Sequence, residues 1–496
     1  MKISPSREAF IVLRRNFERI PIHGGKTVPD FNPSRFFRWM FGEASDVFLF
    51  ESGKGPKATA RYTMMGQSNS RTLKAEHGQF VLSHNGTREV KPGSPLSVLD
   101  HLNFETHEVP FDHAPHFWGG WVGYIGYESA RYLDAIKLRP KEDLDLPLLH
   151  FFQVDRLWVY DHSTRVLKMI VSEKCSGDPG AHFEKIEQEI LRHWEQAESF
   201  LQTAPEPRSP ISRSQANGNG SALRSNISEQ HYIKMVERAK RYIEEGDIYQ
   251  ANLAQRFEIA YEGDAFDLYE NLRRVNPSPF SGYLKLGDLT LVSSSPERLV
   301  KVEQGILETR PIAGTRPRGR DTKEDNRLTH ELLLNEKEKA EHLMLVDLER
   351  NDLGRICEYG SIHVTDQMFV EQYSHVSHIV SNIRGTLKPG VTLKDILKAV
   401  FPGGTITGCP KIRCMEIIDE LEPVTRGPYS GSFGYIGFAG ILDLNIIIRT
   451  ILLTADKAYF HVGAGIVADS VPAREYQETL DKAAAMINVL TGKREP

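Results

Sequence analysis

The chain has 496 residues, enough for two to three average domains or for one large sheet-based unit. Hydrophobic residues at 40%, charged residues at 26% and a formal net charge of -5 describe an ordinary globular composition, without the basic excess of a nucleic-acid binder. Four irregularly spaced cysteines (Cys175, Cys357, Cys409, Cys414) exclude a disulfide framework, and no stretch reaches the ~18 uninterrupted apolar residues of a membrane span. A cytoplasmic protein with neither nucleic-acid nor membrane partners is expected.

Residues 1–202 read as mixed α/β, with strand-like runs at Val47–Phe50 and Leu157–Tyr160. The segment 117–127, FWGGWVGYIGY, alternates aromatics with glycines and suits a strand that another backbone approaches closely. From 203 to 227, Pro, Ser, Gly and Asn displace large apolar residues, which marks a linker. A second domain, 228–496, opens where Ser228 can cap a helix whose Tyr232, Met235, Val236, Ala239, Tyr242 and Ile243 recur at helical spacing up to Gly246. Beyond it, strands are predicted at Ala251–Ile259, Leu289–Ser293, Arg298–Val302, Ile446–Leu453 and Ala458–Val462, and helices at 325–347, 393–400, 411–421 and 474–490. The expected fold is α/β of the mixed α+β kind, a large sheet-based catalytic unit with an N-terminal mixed subdomain.

Phe401 to Pro423, FPGGTITGCPKIRCMEIIDELEP, runs a glycine-rich turn into a patterned helix. Pro410 suits the first helical turn, while Ile412, Met415, Ile417, Ile418 and Leu421 supply an apolar stripe. Gly403, Gly404 and Gly408 clear space around Thr405 and Thr407, so that N–H groups and hydroxyls can converge on a carboxylate or phosphate. The plainer reading is a loop capping a core helix. Glu338 and Glu341 share a helix face, as do Glu475 and Glu478, with Lys482 on the next turn. Each acidic pair taken alone reads as a solvated face; together, four carboxylates on two helices can hold a hard cation such as Mg²⁺. Arg449 lies inside an apolar run, NIIIRT, and needs a partner there: a ligand carboxylate, or Asp443 or Asp469.

The second half resembles the chorismate-utilising enzymes through SSSPERLV, ETRPIAGTRPRG, AEHLMLVDLERNDLGR, YSHVSHIVS, FPGGTITGCPK, IRT, GAGIVADS and EYQET. FLFES, ARYTMMG and GGWVGYIGYE extend the resemblance into the first half. It implies a two-subdomain chorismate-binding fold and a set of roles. Glu341 and Glu478 would bind Mg²⁺ against a chorismate carboxylate, with Glu338 and Glu475 acting through waters. Tyr429, Arg449, Gly463, Gly465 and Lys482 would hold substrate carboxylates, and Ala313 and Thr315 of PIAGT would also face the substrate. Glu297 takes the place of the general acid that protonates the departing 4-hydroxyl, and His378 and Thr405 flank the ring.

Family members that add water place a lysine base where this chain has Gln250, so the resemblance implies an ammonia-using aminase fed by a separate glutamine amidotransferase subunit, as a heterodimer or higher assembly. FPGGTITGCPK, VDLERND and YQANLAQRF resemble the aminodeoxychorismate synthase branch, component I. Ala313, in place of the covalent lysine of some members of that branch, and the long N-terminal lead-in leave the anthranilate synthase branch as the alternative. Glu51 and Ser52 of FLFES match a tryptophan-type effector pocket. A catalytically silent tryptophan-sensing paralogue is the competing reading from a different class, although such a paralogue should have lost the carboxylates retained here.

Overall fold

In the computed structural model, residues 1–51, 61–76, 78–102, 104, 117–134, 136, 138–139, 141, 143–203, 222–372 and 376–492 are described, except for the side chains of Thr315, Pro317, Lys337 and Val376. Two large twisted sheets dominate, and each takes strands from both halves of the sequence. In the first, Asp46–Glu51 pairs antiparallel with Phe280–Leu286, and the sheet continues through Leu289–Ser295, Thr450–Leu453 and Lys457–Ile466 to Gln250–Ala260. In the second, Gly120–Ile125 pairs with Ser432–Gly437, and the sheet continues through Leu442–Ile446, Arg298–Glu303, Ile306–Thr309 and Val376–Thr386 to Ile312–Pro317.

Strand alternation decides how the layers stack. Phe48 and Phe50 point to a core shared with Val122, Tyr124, Phe433 and Tyr435 of the other sheet. Val47 and Leu49, one residue out of phase, point instead to Phe37, Trp194, Phe266 and Tyr269, on helices covering the outer face. The second sheet's outer face buries Trp121 and Ile125 with Leu393, Ile396 and Leu397. This mixed α+β architecture bears out the expected fold class. Among the described residues no helix is long and apolar enough to cross a membrane, and all four cysteines are free thiols. Of the expected linker, 204–221 lie outside the described residues, while Arg224 and Ser225 pair with Glu258 and Phe257.

Ser228 caps helix Glu229–Glu244 as expected, its hydroxyl accepting from the His231 N–H. Two other expectations need correction. The single helix expected at 325–347 is two, Thr322–Leu334 and Glu336–Gly354, because the Asn335 side chain accepts from the Glu338 N–H and starts a new helix there. The strand expected at Ile446–Leu453 is also two. Leu442–Ile446 belongs to one sheet and Thr450–Leu453 to the other, and the chain crosses between them at 447–449. Arg449 therefore sits in the crossing, not inside a strand, with φ +49 in the left-handed region, a conformation costing about 1–3 kcal/mol in a non-glycine residue.

A buried ion pair ties these parts together. Arg426, 2% exposed, donates to both carboxylate oxygens of Glu422 at 2.6 and 2.9 Å, to Ile406 O at 2.9 Å, to Asn252 O at 2.7 Å and to Ser430 Oγ at 3.0 Å. Glu422 Oε1 also accepts from the Ala254 N–H at 2.8 Å. Arg426→Leu strands a buried carboxylate and three acceptors, so its urea midpoint should fall by the equivalent of about 3–5 kcal/mol. A shift below about 1 kcal/mol would show that the pair does not hold these segments.

Candidate functional site

One cavity of about 200 Å³ collects side chains from both sheets and from the two acidic helices. From the first sheet come Gln250 and Asn252, two apart on one strand and hence on one face, and from the paired strand Gly465, opposite Asn252, and Gly463, opposite Ala254. Both glycines are required by close approach. A Cβ on Gly463 would lie 2.5 Å from Asn252 Oδ1, and one on Gly465 would lie 2.6 Å from Gln250 Nε2. From the second sheet come Glu297, just ahead of strand Arg298–Glu303, and Ala313 and His378, from neighbouring strands. Arg449 enters from the crossing between sheets, Thr405 from the glycine-rich turn, Glu341 from helix Glu336–Gly354, and Lys482 from helix Pro472–Thr491. Tyr429 lies against His461, with ring centroids 5.0 Å apart and planes 12° from parallel.

The expected residues Gln250, Glu297, Ala313, Glu341, His378, Thr405, Tyr429, Arg449, Gly463, Gly465 and Lys482 thus line a single cavity. The other three acids stand off it. Glu338 pairs with Arg316 at 3.1 Å, Glu478 pairs with Lys482 at 2.8 Å, and Glu475 lies on the first turn of helix Pro472–Thr491. Among the described residues, no three His, Cys, Asp or Glu side chains gather closely enough to hold a metal ion. Of the four acids only Glu341 lines the cavity, and Glu478 meets it through its ion pair with Lys482. Thr315 pairs through its backbone with His378, and its side chain lies outside the described set.

Two corrections concern the turn and the arginine. Thr407 folds inward to donate to Gly403 O at 2.8 Å, so that of the two threonines only Thr405 lines the cavity. Of the two aspartates weighed as partners of Arg449, Asp443 is held instead by Arg298, at 3.0 and 3.2 Å. Glu51 borders a separate small cavity, but its carboxylate accepts from Tyr269 Oη and Arg273 Nη1, each at 2.7 Å. Ser52 lies outside the described residues.

Burial sets the protonation states. It pushes the Glu297 carboxyl up to about 7, against the opposing pull of Thr405, Arg449 and the Ile312 amide. A carboxyl so placed is neutral for much of the range below pH 7 and can donate a proton. The His378 imidazole is pushed down to about 4 by burial and by Arg449, so it is neutral. Its Nδ1 lies 3.1 Å from Gly314 O, which can only accept, so the proton sits on Nδ1. Gly314 itself takes φ +69 at a bulge in strand Ile312–Pro317, and a side chain there would meet Glu338 Oε2 at 2.9 Å.

Sequence reasoning missed Asn252, His461 and Glu349. Asn252 carried the one available signal, its spacing of two from Gln250 on a predicted strand. Glu349, of VDLERND, lies two turns beyond Glu341 on the same helix. Burial raises it well above the usual carboxylate range, and Glu297 and Asp352 add to the rise.

The sign of the Glu297 effect is testable. Its carboxyl ordinarily titrates near 4.5 and folding raises this to about 7, so the folded chain holds the proton more tightly. Stability should therefore fall as pH rises from about 4.5 to about 7 and then level off, a loss of about 3 kcal/mol at ~1.4 kcal/mol per unit. Glu297→Gln, uncharged and of similar shape, should melt above wild type at pH 8 and together with it near pH 4. A melting difference independent of pH would contradict the raised value.

A family model described as chorismate binding enzyme matches residues 46–488. The chain is 40% identical to the anthranilate synthase component 1 of Acetivibrio thermocellus, over 98% of each chain. It is 42% identical to the aminodeoxychorismate synthase component 1 of Bacillus subtilis, covering 89% of this chain and 91% of that one. The crystal structure of anthranilate synthase component I from Streptococcus pneumoniae superposes with a TM-score of 0.72 at 36% identity, covering 86% of this chain and 92% of the other.

Proposed function

Because this chain belongs to the chorismate-binding enzyme family and so is a chorismate-utilising enzyme, we propose that it is an ammonia-dependent aminase, component I of an aminodeoxychorismate synthase. In this reading it forms 4-amino-4-deoxychorismate for 4-aminobenzoate and folate synthesis. Ammonia comes from a separate glutamine amidotransferase subunit, a reading supported by the name component 1 carried by both relatives.

The observation that carries amination is Gln250, whose Nε2 donates to Glu341 Oε1 at 3.3 Å on the cavity wall. A side-chain amide has no proton affinity near neutral pH and cannot activate water, whereas ammonia already carries its reactive lone pair. On the opposite side, neutral Glu297 is suited to protonate the departing 4-hydroxyl, with His378 and Thr405 flanking the ring. Arg449, Lys482, Tyr429 and the N–H groups of Gly463 and Gly465 are suited to the two carboxylates of chorismate. Glu341 and Glu478 would hold Mg²⁺, with Glu338 and Glu475 acting through waters; when bound, the ion adds positive charge against a substrate carboxylate.

Anthranilate synthase component I is the second reading, favoured by a match spanning 98% of both chains and by Ala313, which leaves no nucleophile near ring carbon 2. Product analysis separates the two. With ammonium, Mg²⁺ and chorismate, the purified chain should accumulate 4-amino-4-deoxychorismate that a separate lyase converts to 4-aminobenzoate. Fluorescent anthranilate released with an equal amount of pyruvate would instead establish the second reading.

Glu341→Gln and Glu478→Gln should each abolish chorismate loss while leaving thermal melting within a few degrees of wild type, since each removes charge and no core contact. Unchanged Mg²⁺ dependence of turnover in either variant would remove that residue from the cation site. Gln250→Lys should divert part of the flux to isochorismate, read by chromatography, and normal amination by that variant would contradict the placement of Gln250 at the nucleophile.

A further inference from the structure

We propose that Gln250 and Asn252 together form the binding site for the ammonia nucleophile, with Asn252 as its second hydrogen-bond acceptor. This rests on the aminase reading above and assigns a residue to it. Gln250 and Asn252 are 5% and 6% exposed, both line the cavity, and their amide oxygens Oε1 and Oδ1 are buried with no hydrogen-bond partner among the described residues. An unpartnered buried acceptor costs about 1–3 kcal/mol, and here two stand side by side in a cavity that must admit a polar reactant. The Gln250 amide is oriented by its neighbour. Nε2 donates to Glu341 Oε1 at 3.3 Å, which leaves Oε1 as the free acceptor.

Side-chain reach suits the ligand. Residues two apart on an antiparallel strand have Cα atoms about 6.8 Å apart, and two oxygens each ~3 Å from one tetrahedral nitrogen lie roughly 5 Å apart, a separation that two amides on one strand face reach by leaning together. Ammonia offers three N–H donors, so two can be held while the lone pair stays free to face the ring. The glycines across the strand pair keep this space open, since a side chain on either would collide with the same two amides. The strand itself is anchored from behind, where Arg426 Nη2 holds Asn252 O at 2.7 Å and Glu422 holds the Ala254 N–H at 2.8 Å. The amides are thus fixed on a rigid element and not on a loop. A lysine in either position would present donors where this ligand needs acceptors.

The test is steady-state amination by the purified chain with Mg²⁺, chorismate and ammonium chloride as nitrogen source. Asn252→Val removes the acceptor at similar volume and should raise half-saturating ammonium about five- to tenfold, with the chorismate KM at saturating ammonium within twofold. Asn252→Asp keeps the shape and adds charge, which favours the ammonium ion over reactive ammonia. It should lower half-saturating ammonium while reducing kcat at least tenfold. Opposite shifts from two variants of one residue are not produced by a merely structural role. If Val does not fold, the Asp variant decides: a lower half-saturating ammonium supports the site, and an unchanged or higher one overturns it. Shifts in the same direction in both variants, or shifts under twofold, also overturn it. Failure here is distinct from failure of the aminase reading, which falls only if the wild-type chain forms no aminated product at all.

Discussion

The site depends on one buried guanidinium. Arg426 is the meeting point of three segments that are far apart in sequence: strand Gln250–Ala260, the turn at 403–407 and the loop after helix Lys411–Leu421. A buried charge is tolerated only when its hydrogen-bonding capacity is met, and Glu422 with the carbonyls of Ile406 and Asn252 meets it. The geometry this enforces is functional as well as structural. The carbonyl of Asn252 is held from outside the cavity while its side chain is presented inside, and the turn carrying Thr405 is set against the same strand. Replacing the pair with apolar residues of equal volume could fill the space, but it would not fix the register of the strand to the turn.

Around that anchor, the cavity is built where the sheets exchange chain. Strand Leu442–Ile446 serves one sheet and Thr450–Leu453 the other, and the three residues between them must turn sharply. Arg449 takes the strained left-handed conformation at this point and directs its guanidinium into the cavity. Ser294 N–H donates to Arg449 O at 3.1 Å, and Thr450 Oγ1 donates to Ile448 O at 2.8 Å, which holds the crossing in place. Strain at a cationic side chain facing a cavity lined by N–H groups and a lysine is consistent with a site shaped for a doubly anionic ligand.

Much of this was legible in the chain before its fold was known, and the exceptions share a cause. Helical spacing located the helices after Ser228 and Thr392 and the acidic pairs Glu338/Glu341 and Glu475/Glu478, because period and caps are local properties. What failed was anything decided by the partner of a polar group. Asn335 reads as one more polar helix residue until its side chain is seen capping a new helix. The run through Ile446–Leu453 reads as one strand because all of it but Arg449 is β-branched or apolar, and nothing local says that two sheets share it. Likewise Glu51 borders a small cavity, and nothing local says that Tyr269 and Arg273, more than two hundred positions away, hold its carboxylate.

The electrostatics divide the cavity into two sides with opposite tasks. On one side, burial keeps Glu297 protonated up to about pH 7, and Glu297 in turn adds to the rise that burial imposes on Glu349. Loss of a proton from Glu297 would leave a negative charge that Arg449 and Lys482 partly offset, both of which lower its pKa. On the other side, Gln250 and Asn252 present neutral acceptors that neither give nor take protons. A leaving hydroxyl needs a proton and ammonia needs none removed before it attacks, so an acid facing two amides suits amination better than hydration. With water as nucleophile, neither amide could take the proton that hydration must remove.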